Sequence, residues 1–197
     1  MTSALTAILD EHMAVATRTR ATLAADIGAL ATDLCESLER GGTLLVFGNG
    51  GSAADAQHFA AELTGHFVAE RDPLAAVALT VDTSALTAIA NDYGYDEVFA
   101  RQVRALCRPA DLVVGISTSG GAASVAAGVE AARSLGARTW ALTGGSGGRL
   151  ATIAERAIVV PSHETARIQE MHILVVHAVC AVLDRWWEAG GRPLAPR

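Results

Sequence analysis

From residue 43 onward, short apolar segments alternate with segments of helical periodicity. The apolar segments are rich in valine, leucine and isoleucine, as buried strands are. We expect strands at residues 43–47, 75–81, 112–116, 138–142 and 157–160. We expect helices at residues 53–66, 84–89, 96–106 and about 164–188. A further helix should run from the serine-rich turn after the third strand through Leu135. Strands that alternate with helices form a parallel sheet with helices on both faces. The sequence therefore predicts an α/β fold.

A separate helical region precedes the first expected strand. It contains no proline and a single glycine, Gly28, and apolar residues recur at helical spacing from Leu5 to Leu38. We predict two helices, or one helix that is broken near residues 17–21. A chain of 197 residues favours one domain. We therefore expect a single domain over residues 1–197, with this helical region at about 1–40.

The composition argues against several classes of protein. The formal net charge is −6 and there is no basic run, so we expect no nucleic-acid partner. The cysteines Cys35, Cys107 and Cys180 match no metal or redox spacing, which favours reduced, buried thiols. The N-terminus lacks the features of a signal peptide, and no apolar run reaches the roughly 18 residues of a membrane span. We expect a soluble, cytoplasmic protein without a membrane partner.

Two glycine-rich turns follow expected strands and precede expected helices. The first comprises residues 48–52 and the second residues 117–121, which contain Ser117, Thr118 and Ser119. Strand carboxyl ends share one edge of a parallel sheet, and ligands of open α/β sheets bind there. Backbone N–H groups and hydroxyls at a helix start favour an anion, although a capped helix start would show the same residues. Neither turn has a nucleotide-binding signature, so we predict a phosphate that is not part of a dinucleotide.

Two residue pairs have the spacing of metal ligands. His58 and Glu62 are four residues apart, on one face of the expected second helix. Gln169 and His177 are eight residues apart, about 80° around the last helix. Together they form a set of nitrogen and oxygen donors that suits zinc. The alternative is that these histidines are hydrogen-bonded core residues.

Several segments resemble the signature of the sedoheptulose 7-phosphate isomerases, also called phosphoheptose isomerases. The segments are residues 48–65, Ala90-Asn91-Asp92, residues 115–120 and residues 167–172. They occur in the order of that family and span most of the chain. The family belongs to the wider group of sugar isomerase (SIS) domains. The resemblance implies a flavodoxin-like, five-stranded parallel sheet with N-terminal helices that serve assembly.

The resemblance also implies a site and an assembly. The matching positions imply zinc ligands at His58, Glu62, Gln169 and His177. They imply substrate contacts at Asn49, Gly50, Gly51, Ser52, Glu62, Asn91, Asp92, Ser117, Thr118, Ser119 and Gln169. The family is typically a homotetramer whose active sites lie at subunit interfaces, so the same arrangement is expected here.

Two departures from the family pattern concern the substrate. The serine-rich turn commonly continues with a further serine where this chain has Ala122, and Ser124 lies two residues on. Some members carry an aspartate where this chain has Ala166. The DnaA initiator-associating proteins, which are non-catalytic binding modules, share much of this sequence but lack residues equivalent to Glu62 and His177. Retention of both residues favours catalysis.

The implied reaction is an aldose–ketose isomerisation through an enediolate, from sedoheptulose 7-phosphate to a D-glycero-D-manno-heptose 7-phosphate. We assign Glu62 as the base and His177 as the acid, with zinc as a Lewis acid. A residue bound tightly to zinc is a poor base, so either the ligands exchange during turnover or zinc stabilises the resting site. The alternatives are isomerisation of another long-chain ketose phosphate and a non-catalytic binding module.

Overall fold

The structure, a computed structural model, describes residues 2–194. Its elements alternate as the sequence predicts from the first strand onward. In chain order they are α1 (Thr2–Glu39), β1 (Leu44–Gly48), α2 (Gly51–Thr64), β2 (Ala76–Ala78), α3 (Thr83–Tyr93), a 3₁₀ helix (Tyr95–Glu97), α4 (Val98–Leu106), β3 (Leu112–Ile116), α5 (Ala123–Ser134), β4 (Arg138–Gly144), α6 (Gly148–Ile153), β5 (Arg156–Val160) and α7 (Thr165–Glu188).

The five strands form one sheet in the order β2-β1-β3-β4-β5, and every pair is parallel. This is the flavodoxin-like order, and it confirms the expected fold class. The chain leaves β1 toward β2 on one side and returns to β3 on the other. The carboxyl ends of β1 and β3 therefore flank the topological switch point, where such sheets bind ligands.

Side chains of each strand alternate between two helical layers. Leu44 and Val46 of β1 point into a core formed with α1, α2 and α7. Leu45 and Phe47 point into a second core, formed with α4, α5 and α6. The period of two along a strand produces this division, and it places α2 and α7 on the same face of the sheet.

The N-terminal region is one helix, so the prediction of two helices or of a break near residues 17–21 is wrong. Helix α1 is continuous over 38 residues. The hydroxyls of Thr17 and Thr22 donate to the carbonyls four residues earlier, at Met13 and Arg18. The threonine hydroxyls thus find partners without leaving the helix, and this stretch contains neither glycine nor proline.

The second strand is shorter than predicted, and the helix after it is longer. β2 ends at Ala78 because the chain then turns toward Asp82, whose carboxylate accepts a hydrogen bond from the N–H of Ala85 and caps α3. α3 continues to Tyr93 and ends at Gly94, which has a φ of +87°. The organisation of residues 1–197 as one domain stays a prediction.

Helix α7 forms one wall of the candidate site. It is long and apolar enough to cross a membrane by length and composition, with a mean hydropathy of 1.4 over its most apolar window. Half of that window is buried, and core helices of soluble proteins share this composition. The three cysteines are free and buried, and burial raises the pKa of Cys180, on this helix, to about 12.

Candidate functional site

The turn after β1 forms one wall of the site. Gly50 has a φ of +57° and precedes the first residue of α2. Asn49 is held from two sides: its Nδ2 donates to the Ser124 hydroxyl at 3.0 Å, and its Oδ1 accepts from the Tyr95 hydroxyl at 2.9 Å. These bonds fix the orientation of the Asn49 amide. Ser124, two residues after Ala122, is buried, and its hydroxyl accepts the bond from Asn49.

The serine-rich turn after β3 forms the opposite wall. Ser117 is buried, Thr118 is partly buried and Ser119 is exposed, with its Oγ accepting a hydrogen bond from the N–H of Gly121 at 3.2 Å. Gly120 has a φ of +65°, and a Cβ there would collide with the carbonyl oxygen of Gly147. The turn after β4 therefore buttresses this turn through a contact that only glycine permits.

Both helices that start at these turns are left open to an anion. Within residues 2–194, no side chain caps the first turn of α2 at Gly50 or that of α5 at Ala122. The first N–H groups of a helix have no intrahelical partner, and the helix dipole favours negative charge there. At α2, however, the N–H groups of Ser52 and Ala53 donate to the carbonyl oxygens of Asn49 and Gly50. The free donors that a phosphate site requires therefore lie mainly at the start of α5.

His58, Glu62 and His177 converge farther along α2, about two to three helical turns after its start. One ligand atom from each lies within 4.8 Å of the other two. His58 Nε2 is 2.9 Å from Glu62 Oε1 and 3.2 Å from His177 Nε2. The His58 side chain is 42% exposed and that of Glu62 is 21% exposed, so the cluster faces solvent and a ligand can reach it. Two imidazoles and a carboxylate could hold a divalent metal ion.

Gln169 lies about two helical turns before His177 on α7. Its amide touches Gly51, where a Cβ would collide with Nε2. Gln169 thus meets the start of α2, and His177, two turns later on α7, meets His58 farther along α2. The two helices therefore run in the same direction along the site. The metal-ligand assignment of Gln169 stays a prediction.

Asn91 and Asp92 are exposed at the end of α3, where Asn91 Nδ2 donates to Asp92 Oδ1 at 2.7 Å. The nearby Tyr95 reaches Asn49 through its hydroxyl. The end of α3 is thereby tied to the first turn of the site. Ala166 lies exposed in the first turn of α7.

Sequence reasoning missed three residues at the site. Tyr95 fixes Asn49, and the Phe67 ring stacks on the His177 ring with centroids 5.5 Å apart. Asp55 lies one turn before His58, and its Oδ2 is buried without a partner among the described residues. Burial raises the pKa of Asp55, and the proximity of His58 opposes that rise. Its spacing to His58 was a usable signal, whereas nothing in the sequence marked Tyr95 or Phe67.

A cavity of about 530 Å³ lies elsewhere, at the amino ends of β1 and β3. Arg40, Thr43, Arg108 and Asp111 are among the residues that line it. It contains none of the predicted site residues. Its position at the opposite edge of the sheet separates it from the chemistry described above.

Comparison with known proteins identifies the family to which the chain belongs. The SIS domain family model matches residues 9–144. The probable phosphoheptose isomerase of Thermoplasma acidophilum is 57% identical over 155 residues, which cover 79% of this chain and 85% of the relative. The phosphoheptose isomerase of Roseiflexus sp. is 56% identical over 181 residues, 90% of this chain and 92% of the relative.

The chain belongs to the phosphoheptose isomerase family of SIS domain proteins.

A solved structure of the phosphoheptose isomerase family has the same fold. The phosphoheptose isomerase of Neisseria gonorrhoeae is 46% identical, with a TM-score of 0.89 over 93% of this chain and 98% of that one. At this identity and coverage, the likeness extends over nearly the whole chain. Family membership thus rests on sequence and on structure alike.

Proposed function

We propose that this protein is a sugar phosphate isomerase that converts sedoheptulose 7-phosphate to a D-glycero-D-manno-heptose 7-phosphate. The observation that carries the proposal is the cluster of Glu62, His58 and His177 on α2 and α7. The uncapped start of α5 adds an anion site. This arrangement combines a group that can take a proton, a group that can return one, and an anion site. The names of the relatives support the same reaction.

The phosphate would bind at the serine-rich turn. Ser117, Thr118 and Ser119 offer hydroxyls, and the free N–H groups at the start of α5 add backbone donors. The sugar chain would then extend toward Asn49 and Gln169, across the start of α2. Asn49 is oriented by Tyr95 and Ser124 before any ligand binds, so little ordering is needed on binding.

The chemistry is a proton transfer between neighbouring carbons. Glu62 removes the proton from the carbon beside the ketose carbonyl, and the electrons of that bond form an enediolate. A proton is then delivered to the former carbonyl carbon, and we assign its delivery to His177. The hydroxyl on the first carbon gives up its proton and becomes the aldehyde carbonyl, while the former carbonyl oxygen gains a proton and becomes a hydroxyl. Because the two side chains belong to one cluster, a sugar bound between them meets both.

We further propose that the cluster holds zinc. Two imidazole nitrogens bound to one zinc ion at 2.0–2.1 Å in tetrahedral geometry lie about 3.3 Å apart. The separation of 3.2 Å between the Nε2 atoms of His58 and His177 agrees with that spacing. Glu62 would supply the third ligand atom and Gln169 the fourth. When bound, zinc would act as a Lewis acid on the oxygens of the substrate.

The assembly that we propose is a cytoplasmic homotetramer with active sites at subunit interfaces. The first turns of α1 support it, since Leu5, Ile8, Leu9 and Met13 are each about half exposed, at 58%, 49%, 53% and 57%. Apolar side chains repeated along one helix indicate a protein contact. Light scattering coupled to size-exclusion chromatography would give four times the chain mass, and Leu9→Lys should reduce it.

Incubation of the purified protein with sedoheptulose 7-phosphate, followed by chromatographic identification of the product, tests the function. We expect a heptose 7-phosphate at equilibrium with the ketose. Other ketose phosphates of five and six carbons should react far more slowly. Turnover of one of these in preference to sedoheptulose 7-phosphate would reassign the substrate, and no turnover of any of them would contradict the enzymatic assignment.

A further inference from the structure

Asp184 connects α7 to the segment that follows α2. It lies two helical turns after His177, within about 20° of the same helix face, and its side chain is 8% exposed. Its Oδ2 accepts hydrogen bonds from the backbone N–H groups of Val68 at 3.0 Å and Ala69 at 2.9 Å. The helix that carries His177 thereby holds this segment by its backbone.

Arg71 connects the same carboxylate to the end of α2. Its side chain is fully buried, and its Nε donates to Asp184 Oδ1 at 3.2 Å. Its Nη2 donates to the carbonyl oxygen of Glu62 at 2.6 Å, and its Nη1 to that of Leu63 at 2.9 Å. Carbonyls in the last turn of a helix lack intrahelical partners, so the guanidinium completes the turn that carries Glu62.

The ion pair remains charged at neutral pH. Burial disfavours the charged form of Asp184, but the N–H groups of Ala69 and Val68 and the Arg71 guanidinium outweigh it and hold the pKa below its usual range. A buried pair with all its hydrogen bonds made is costly to break from one side. The link between the two helices is therefore rigid.

Phe67 lies within the segment that this link anchors. Its ring stacks on the imidazole of His177 at an interplanar angle of 30°, and it packs against the core shared by α1, α2 and α7. The N–H groups that Asp184 binds belong to the next two residues. Asp184 therefore helps to hold the Phe67 ring in place, and this ring in turn restricts the rotation of the His177 imidazole.

We propose that Asp184, Arg71 and Phe67 are positioning residues that set the spacing of α2 and α7 and orient His177 toward Glu62 and His58. This inference rests on the proposed isomerase function, and it adds the residues that hold the reacting groups in place. Groups displaced by about 1 Å commonly cost catalysis 10²-fold. A loss of orientation should therefore lower kcat more than it raises KM.

The first experiment compares Phe67→Leu with Trp187→Leu. Both replace an aromatic ring that packs against the same core, but Trp187 lies nearly three turns beyond His177. We expect Phe67→Leu to lower kcat about 10-fold or more, with KM for sedoheptulose 7-phosphate within about threefold. Phe67→Tyr, which keeps the ring, should restore kcat. A folded Phe67→Leu with the kcat of Trp187→Leu would overturn the proposal.

The second experiment does not depend on activity. The stacked Phe67 ring should shift the imidazole ¹H resonances of His177, assigned with a His177→Gln sample. Phe67→Leu and Asp184→Asn should both move these resonances toward ordinary histidine positions, and Trp187→Leu should leave them unchanged. Unmoved resonances in Phe67→Leu would refute the stacking whether or not the protein is an isomerase.

A double variant tests whether Asp184 acts through Phe67. Effects on kcat that share one path are less than additive, so Phe67→Leu combined with Asp184→Asn should lose little more than the larger single loss. Losses that multiply would mean that Asp184 acts independently, against the proposal. If Asp184→Asn does not fold by circular dichroism, Phe67→Leu and its resonances decide the question alone.

Discussion

Replacement of Glu62 by glutamine removes the proposed base and exchanges the carboxylate ligand of the proposed zinc site for an amide, with little change of shape. The two side chains have nearly the same shape, and the amide oxygen can still face His58, which now lies 2.9 Å from Glu62 Oε1. The backbone of residue 62 stays anchored by Arg71. The substitution therefore separates the loss of a proton acceptor from a loss of structure.

The expected loss of turnover in Glu62→Gln is much larger than the expected loss of folding stability. General acid–base catalysis by one group contributes about 10² or more, which is about 2.7 kcal/mol in the barrier. The His58–Glu62 pair lies within one helix and its side chains are 42% and 21% exposed, so its contribution to folding is under about 1 kcal/mol. For a chain of this size that corresponds to a shift of about 2–4 °C in Tm. Turnover should therefore fall by two orders of magnitude while the protein stays folded.

The assay measures kcat, zinc content and thermal unfolding on the same samples. Glu130→Gln is a matched control, since it removes a carboxylate that pairs with Arg149 on the surface, outside the site. His177→Gln should resemble Glu62→Gln, and the double variant should lose less than the product of the two. Wild-type turnover in a folded, metal-loaded Glu62→Gln, or full recovery of kcat with excess zinc, would refute the assignment of Glu62 as the base.

Three further predictions test other parts of the site and the core. His58→Ala should lose most of the zinc that copurifies with the protein, as measured by mass spectrometry of metals, and equal content in wild type and variant would contradict the metal site. Ser119→Ala should mainly raise KM for the phosphorylated sugar in steady-state kinetics, and unphosphorylated sedoheptulose should be a very poor substrate; equal turnover of both sugars would contradict the phosphate assignment. Burial lowers the pKa of His172 to about 4. As the pH falls, His172 is therefore protonated in the unfolded chain before it is protonated in the folded protein. The stability that neutral His172 confers is then complete above the unfolded pKa and is lost as pH falls toward 4, by about 2–3 kcal/mol at pH 4.5. Urea unfolding at pH 7 and pH 4.5 should show this loss of unfolding free energy in wild type and a smaller loss in His172→Gln. An equal loss in both proteins would contradict the reasoning.

Local patterns accounted for most of the fold. A strand period of two and a helix period near 3.6 are visible in any window of the sequence, so most strands and helices after residue 43 were predicted close to their bounds, with β2 and α3 as the exceptions. The position of both turns at one edge follows from parallel strands alone. The break predicted near residues 17–21 was wrong because threonines are compatible with a continuous helix when their hydroxyls bond to carbonyls four residues earlier, as those of Thr17 and Thr22 do.

Local spacing in the sequence likewise predicted only part of the candidate site. The spacing of His58 and Glu62 placed both on one helix face, since four residues make about one turn. The proximity of His177 to His58, across 119 residues, was expected from family resemblance and not from any local pattern. Only the packing of α7 beside α2 sets that distance in the structure.

Other contacts of the site had no counterpart in the sequence pattern. The bond from Tyr95 to Asn49, the contact of Gln169 with Gly51 and the stacking of Phe67 on His177 each join different elements. The sequence by itself determined which elements form and that both glycine-rich turns lie at one edge of the sheet, because those depend on neighbours along the chain. The tertiary structure alone decided which side chains meet and which are held in place, because that depends on how separate helices pack across the sheet.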